Sequence, residues 1–73
     1  MTPPLSNRIR VLRAERELSQ TELAEAIGVS RKTISTIETG RFVPSTVISL
    51  RIAGYFGLQV EDVFKLTDQD GAG

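Results

Sequence analysis

The chain lacks cysteine, histidine and tryptophan altogether. Without cysteine there is no disulfide framework and no thiolate metal site. Without histidine the commonest general base and the commonest metal ligand are missing. No apolar run approaches the ~18 residues needed to span a membrane. The opening MTPPLSNRIR has no apolar stretch of the kind a secretory signal carries, so a cytoplasmic protein is expected. Charge of one sign is also lacking, because nine basic residues balance nine acidic ones. What remains is 73 residues, enough for one small domain that buries only about 60% of its unfolded surface.

The balance of charge hides an asymmetry. Residues 1–41 carry seven basic and five acidic side chains, and residues 42–73 carry two and four. Local field matters more than the total, so the first half is the better place to look for an anionic partner. An enzyme is not expected. The carboxylates fall on solvated helix faces or in the tail, a serine nucleophile would have no adjacent base, and so small a helical domain has little room for a substrate. No metal and no cofactor are expected either.

Five helices and no sheet are predicted, since no segment alternates with period two over a useful length. Residues 1–5 read as a flexible arm, residues 6–66 as the folded domain, and residues 67–73 as a disordered acidic, Gly-rich tail. Helix one runs from about Asn7 to Glu17, capped by Ser6 or Asn7. Its face carries Ile9, Leu12, Arg13 and Arg16, which turns two arginines toward the core. Ser19-Gln20-Thr21-Glu22 is a capping box that opens helix two. Leu23, Ala24 and Ile27 form the buried stripe of that helix, and Gly28 ends it. Ser30 caps helix three, about Arg31 to Glu38, which Gly40 ends. Pro44-Ser45 opens helix four, about Thr46 to Phe56, ended by Gly57. A short helix five spans about Val60 to Phe64.

Helix three divides into two faces. Counting 100° per residue from Arg31, Ile34, Ile37 and Glu38 point inward. Lys32, Ser35, Thr36 and Thr39 share an outward arc with Arg31 at its edge. No acidic or bulky apolar side chain interrupts that arc. Arginine and lysine can donate to guanine O6 and N7, and serine and threonine can bond several base edges. The first turn of helix two lies beside it, where Ser19 and Gln20 present backbone amides and a carboxamide to an anion. A merely solvated polar face would look similar in composition. The helix–turn–helix spacing is what favours DNA.

The stretch LSQTELAEAIGVSRKTISTIETGRFVPS resembles the phage repressor and Cro type of helix-turn-helix, the XRE family, and especially its short single-domain bacterial members. The resemblance covers about Asn7 to Leu66. It implies an all-α, five-helix repressor-like fold with the helix-turn-helix at helices two and three. It also implies that Arg31, Lys32 and Thr36, with Ser35 as a weaker candidate, read bases. Gln20 would contact phosphate beside Ser19, and Thr39 and Arg41 would contact it just beyond the recognition helix. Arg13 and Glu38 match a partly buried ion pair that joins helix one to the end of helix three, a structural role.

Two functions follow. The first is a transcriptional regulator, a homodimeric repressor reading a palindromic operator in double-stranded DNA. The second is a protein-interaction module, such as the DNA-binding antitoxin or adaptor partner of another protein. Helix four is apolar on two sides. Leu50, Ala53 and Phe56 lie on one, and Ile48, Ile52 and Tyr55 on the other. The second stripe, with Val60 and Phe64 from helix five, is expected to meet a second copy of the chain. The competing expectation is that helix five covers it.

Overall fold

The computed structural model describes residues 4–67. In chain order the elements are β1 (Leu5–Asn7), α1 (Ile9–Glu15), α2 (Gln20–Ile27), α3 (Arg31–Glu38), α4 (Thr46–Phe56), α5 (Val60–Val63) and β2 (Phe64–Leu66). The five expected helices are present. The caps read for helices two, three and four are where they were expected, but helix one is not capped by Ser6 or Asn7: its N-cap is Arg8, which makes no side-chain cap hydrogen bond. Ser19 accepts from the Glu22 N–H at 3.0 Å while Glu22 accepts from the Ser19 N–H at 2.9 Å, closing the capping box. Ser30 and Ser45 cap α3 and α4 in the same manner, through the N–H groups of Thr33 and Ile48. Gly28 and Gly57 end α2 and α4 at φ of 81° and 70°, where a Cβ would be strained.

The expectation of no sheet is corrected. β1 and β2 pair antiparallel in the register Leu5↔Leu66, Ser6↔Lys65 and Asn7↔Phe64. Three residues are too few to display an alternation, and the partner lies at the far end of the chain, so neither strand is visible locally. The same pairing corrects the flexible arm at its inner end. Leu5 lies in the strand, and the Pro4 carbonyl accepts the Thr67 N–H at 3.1 Å. The rest of the arm and residues 68–73 of the expected tail lie outside the described residues.

Helix one is shorter than expected at both ends. Asn7 belongs to the strand. Its side chain accepts the Ile9 N–H at 3.1 Å and donates to the Ile37 carbonyl at 3.0 Å, which ties the start of α1 to the end of α3. At the other end Glu17 takes a left-handed φ of 53°. The N–H groups of Glu17 and Leu18 turn back onto the carbonyls of Ala14 and Arg13, at 3.1 and 2.9 Å. This is the hydrogen-bond pattern that glycine usually serves, built here without one. α5 ends one residue early because Phe64 is extended and begins β2.

The core is aliphatic with two phenylalanines. Ile9, Leu12, Leu23, Ala24, Ile27, Ile34, Ile37, Ile52, Ala53, Phe56, Val63 and Phe64 form one buried cluster, with Ile48 and Val60 packed against it. This overturns the expected dimer patch. Ile52 is 0% exposed and Phe64 is buried within the single chain, so neither can meet a partner. Tyr55 is partly exposed at the edge. Leu50, expected on the same side as Ala53 and Phe56, is 57% exposed. The inward side of α4 is one arc of about 140° that takes residues from both supposed stripes. What it leaves outside is Val47, Leu50 and Gly54, flanked by Thr46, Arg51 and Tyr55.

Arginine side chains close the ends of the helices. Arg16 donates to the carbonyls of Tyr55 and Phe56 at the end of α4, at 3.3 and 2.9 Å, with its guanidinium 4.9 Å from the Phe56 ring centre. Arg51 donates to the Ile27 carbonyl at the end of α2, at 3.2 Å. Unpaired carbonyls at a helix end attract cations. This explains the second arginine that the sequence turned toward the core.

Candidate DNA interface

α2 and α3 are joined by Gly28, Val29 and Ser30. Gly28 turns the chain, Val29 packs on the core, and Ser30 starts the next helix. α3 is rooted by Ile34 and Ile37, both buried. With those two side chains fixed, the rotation of α3 about its axis is fixed as well. Arg31, Lys32 and Thr39 are exposed, and Ser35 and Thr36 are half-buried, in agreement with the arc counted from the sequence.

The threonines of α3 are less free than their exposure implies. The Thr36 hydroxyl lies 3.0 Å from the carbonyls of both Lys32 and Thr33. Thr39 lies in the same way against Ser35 and Thr36, at 3.0 and 3.2 Å. A hydroxyl has one proton, so each serves its own helix as donor and keeps lone pairs and a methyl for an outside partner. Thr33 is occupied by Ser30, with 2.9 Å between the two hydroxyls. The side chains of Lys32 and Arg41 make no hydrogen bond or ion pair among the described residues, and both residues are exposed.

The first turn of α2 lies beside this face. The N–H groups of Gln20 and Thr21 have no acceptor among the described residues. They lie at the positive end of α2 and can meet a phosphate oxygen. The Ser19 hydroxyl is already engaged by the capping box. Backbone Ser19 N–H donation to Glu22 also holds that carboxyl below its ordinary pKa.

Behind the face lies the ion pair expected of Arg13 and Glu38. Arg13 Nε donates to Glu38 Oε2 at 2.6 Å and Nη2 donates to Oε1 at 3.1 Å, a bidentate pair. Arg13 Nη1 donates to the Leu18 carbonyl at 2.8 Å. Glu38 raises the Arg13 pKa further by this hydrogen bonding. The side chains are 15% and 1% exposed, so the carboxylate is the enclosed partner.

Sequence reasoning missed how this pair continues outward. Gln20 Nε2 donates to Glu38 Oε1 at 3.2 Å, and Gln20 Oε1 accepts from Arg31 Nη1 at 3.2 Å. Spacing along the chain carries no signal for this link, because the contact depends on the angle between α2 and α3. Of the remaining sequence candidates, the structure gathers Ser19, Gln20, Arg31, Lys32, Ser35, Thr36 and Thr39 around the two helices. Arg41 sits just past Gly40, in the turn that follows α3.

The described residues hold no group of side chains that could bind a metal ion, and no helix among them is long and apolar enough to cross a membrane. The sequence matches the family model for a helix-turn-helix domain over residues 4–66. An uncharacterised HTH-type transcriptional regulator of Methanothermobacter thermautotrophicus is 49% identical over 65 residues, 88% of this chain and 93% of that protein. The immunity repressor protein of Bacillus phage phi105 is 37% identical over 59 residues, 81% of this chain and 41% of the repressor. Among solved structures, the restriction-modification controller protein C.AhdI from Aeromonas hydrophila superposes with a TM-score of 0.70 at 31% identity, covering 75% of this chain and 83% of that one. These relatives are regulators rather than enzymes, and the matches take in both helices of the motif. The chain belongs to the helix-turn-helix domain family and carries a DNA-binding domain of the Cro/CI type.

Proposed function

We propose that this protein is a sequence-specific transcriptional repressor that lays α3 in the major groove of a palindromic operator and binds as a homodimer. The observation that carries the reading is the rooted α3 face. Ile34 and Ile37 hold the helix, and Arg31, Lys32, Ser35 and Thr36 turn outward with no acidic residue among them. In this reading Arg31 and Lys32 donate to guanine and Thr36 offers its methyl and lone pairs. Phosphates are met by Arg41, by Thr39 and by the first turn of α2 at Ser19 and Gln20. The relatives include a phage immunity repressor and a restriction-modification controller, which accords with a regulatory role. Such a protein would work in the cytoplasm, at the nucleoid.

A single domain this small makes few contacts with DNA, which favours two copies on two half-sites. Ile52 and Phe64 cannot serve as the contact. The apolar side chains available for one are Val47 and Leu50 on α4, at 56% and 57% exposure, with Val43 in the preceding loop. Gly54 continues the same face, where a side chain would meet open space.

The test is selection of duplexes from a random pool by the purified protein. The expected product is an inverted repeat whose half-sites are centred about one helical turn apart, roughly 10 base pairs. Arg31→Ala and Lys32→Ala each relax the preference at one or two positions per half-site. A pool that emerges without enrichment, with equal weak binding to all duplexes, refutes the reading. It would turn attention to Val47 and Leu50 as the docking surface of another protein.

A further inference from the structure

The strand pairing between the two ends of the domain reaches the DNA face through Asn7. The Asn7 backbone pairs with that of Phe64, whose side chain is buried, and the N–H of Arg8 donates to the Val63 carbonyl at 3.0 Å. From this fixed base the Asn7 side chain donates to the Ile37 carbonyl at 3.0 Å. β1 faces the end of α3 across an open groove of about 340 Å³, with Ser6 on one side and Thr39 and Gly40 on the other. Among the described residues the Asn7 bond is the one hydrogen bond between the sheet and α3.

We infer that Asn7 is a positioning residue for the turn that carries Arg41. The inference rests on the reading of Arg41 as a phosphate contact. The chain reverses after α3 at Gly40, with φ of 78°. The Gly40 N–H donates to the Ile37 carbonyl at 3.0 Å and the Arg41 N–H to the Thr36 carbonyl at 2.9 Å. Asn7 therefore bonds to the same oxygen as the first of these, and a carbonyl has lone pairs for both donors. The orientation of the amide is fixed as well. Its Oδ1 accepts the Ile9 N–H at 3.1 Å, so its NH2 group faces Ile37. A flipped amide would set a donor against a donor at Ile9 and oxygen against oxygen at Ile37.

The consequence is a phosphate contact mounted on the frame of the domain. In the proposed complex the DNA backbone is met at two places, the first turn of α2 and the turn after α3. Both serve at once only if the distance between them is held. The bonds within the Gly40 turn fix Arg41 relative to α3, and Asn7 fixes that turn relative to the sheet and the start of α1. Arg31 lies six residues from Ile37, about 9 Å along the helix axis, so the base-facing first turn of α3 is remote from the tie. Loss of the tie therefore falls on the phosphate contact and spares the bases. Ordering one long side chain and its turn on docking, rather than beforehand, is typically worth a factor of about two to ten in affinity.

The experiment compares Asn7→Ser, Arg41→Ala and the double variant on the selected duplex and on one altered within a half-site, each over a salt series. The serine oxygen can still accept the Ile9 N–H, but the side chain is too short to reach Ile37. The expected result is that Asn7→Ser weakens binding to both duplexes alike, about two- to tenfold, and leaves their ratio unchanged. The double variant binds as Arg41→Ala does. Amide hydrogen exchange in the free Asn7→Ser protein quickens at Gly40 and Arg41. Parental affinity in Asn7→Ser beside a clear loss in Arg41→Ala overturns the inference and leaves the phosphate contact standing. A loss that adds in full to that of Arg41→Ala, or that changes the ratio between duplexes, also overturns it, since Asn7 then supports the fold at large. Should Asn7→Ser prove too unstable to assay, Asn7→Asp keeps the acceptor for Ile9 and removes the donor to Ile37. Exchange at Gly40 and Arg41 then reads the tie without DNA, and parental exchange there overturns the inference. If Arg41→Ala itself leaves affinity and salt slope intact, it is the phosphate contact that fails, and this inference fails with it.

Discussion

Removing one partner of the Arg13–Glu38 pair has unequal consequences depending on which is removed. The Glu38 side chain is 1% exposed and the Arg13 side chain 15%. Arg13→Met leaves an enclosed carboxylate whose one remaining donor is Gln20, at 3.2 Å. A buried charge stranded in this manner costs about 3–5 kcal/mol. Glu38→Leu strands the guanidinium instead. That group keeps the Leu18 carbonyl at 2.8 Å and has an open edge to water, so its loss is smaller, about 1.5–3 kcal/mol. A domain of 73 residues has roughly 4–11 kcal/mol of stability in all. Arg13→Met therefore removes a large fraction of it. The double variant Arg13→Met/Glu38→Leu strands neither charge, and its cost falls below that of Arg13→Met alone. Urea denaturation followed by circular dichroism measures all four corners of this cycle. An Arg13→Met chain that does not fold, whose fold returns in the double variant, supports the same conclusion. If both single variants lose under about 1 kcal/mol and their losses add, the pair behaves as a solvent-exposed bridge. The account of an enclosed carboxylate is then wrong.

Four other outcomes are expected. The Ser19 backbone N–H holds the Glu22 carboxyl below its ordinary pKa. Its contribution to stability is thus complete above the ordinary carboxylate range and disappears as pH falls through the lowered folded value. Glu22→Gln should therefore lower the melting temperature at neutral pH and match the parent in strong acid; a deficit that persists in acid contradicts this. Arg16→Met should destabilise by about 1–3 kcal/mol, because the carbonyls of Tyr55 and Phe56 lose a charged donor, and amide hydrogen exchange should quicken first at the end of α4. Arg41→Ala should weaken binding to every duplex alike and reduce the slope of log affinity against log salt by about one; an unchanged slope removes Arg41 from the phosphate contacts. Leu50→Glu should leave the fold intact and shift the sedimentation of the free protein to that of a monomer, while a dimer that survives places the contact elsewhere.

Much of the fold is legible locally because the helix signals are local. Ser19, Ser30 and Ser45 cap helices with hydrogen bonds that span three residues, and Gly28 and Gly57 end them with their own backbone angles. The inward turn of Ile34 and Ile37, and with it the outward arc from Arg31 to Thr39, follows from a period of 3.6. The ends of α1 were not legible. Glu17 turns left-handed without the glycine that usually marks such a stop, and Asn7 is drawn into a strand by a partner near the other terminus.

The apolar faces of α4 show the limit most clearly. Counting residues reveals that Ile48, Ile52, Leu50, Phe56 and Tyr55 surround the helix, but not which sector the rest of the chain will cover. The sequence alone thus determined the presence of the helices, the motif and the outward polar face of α3, since each depends on residues within a turn or two of one another. The tertiary structure alone decided that Ile52 and Phe64 are core, that Val47 and Leu50 are surface, and that Gln20 joins Arg31 to a buried carboxylate. Those facts depend on the angles at which helices cross, and crossing angles are set by packing across the whole domain.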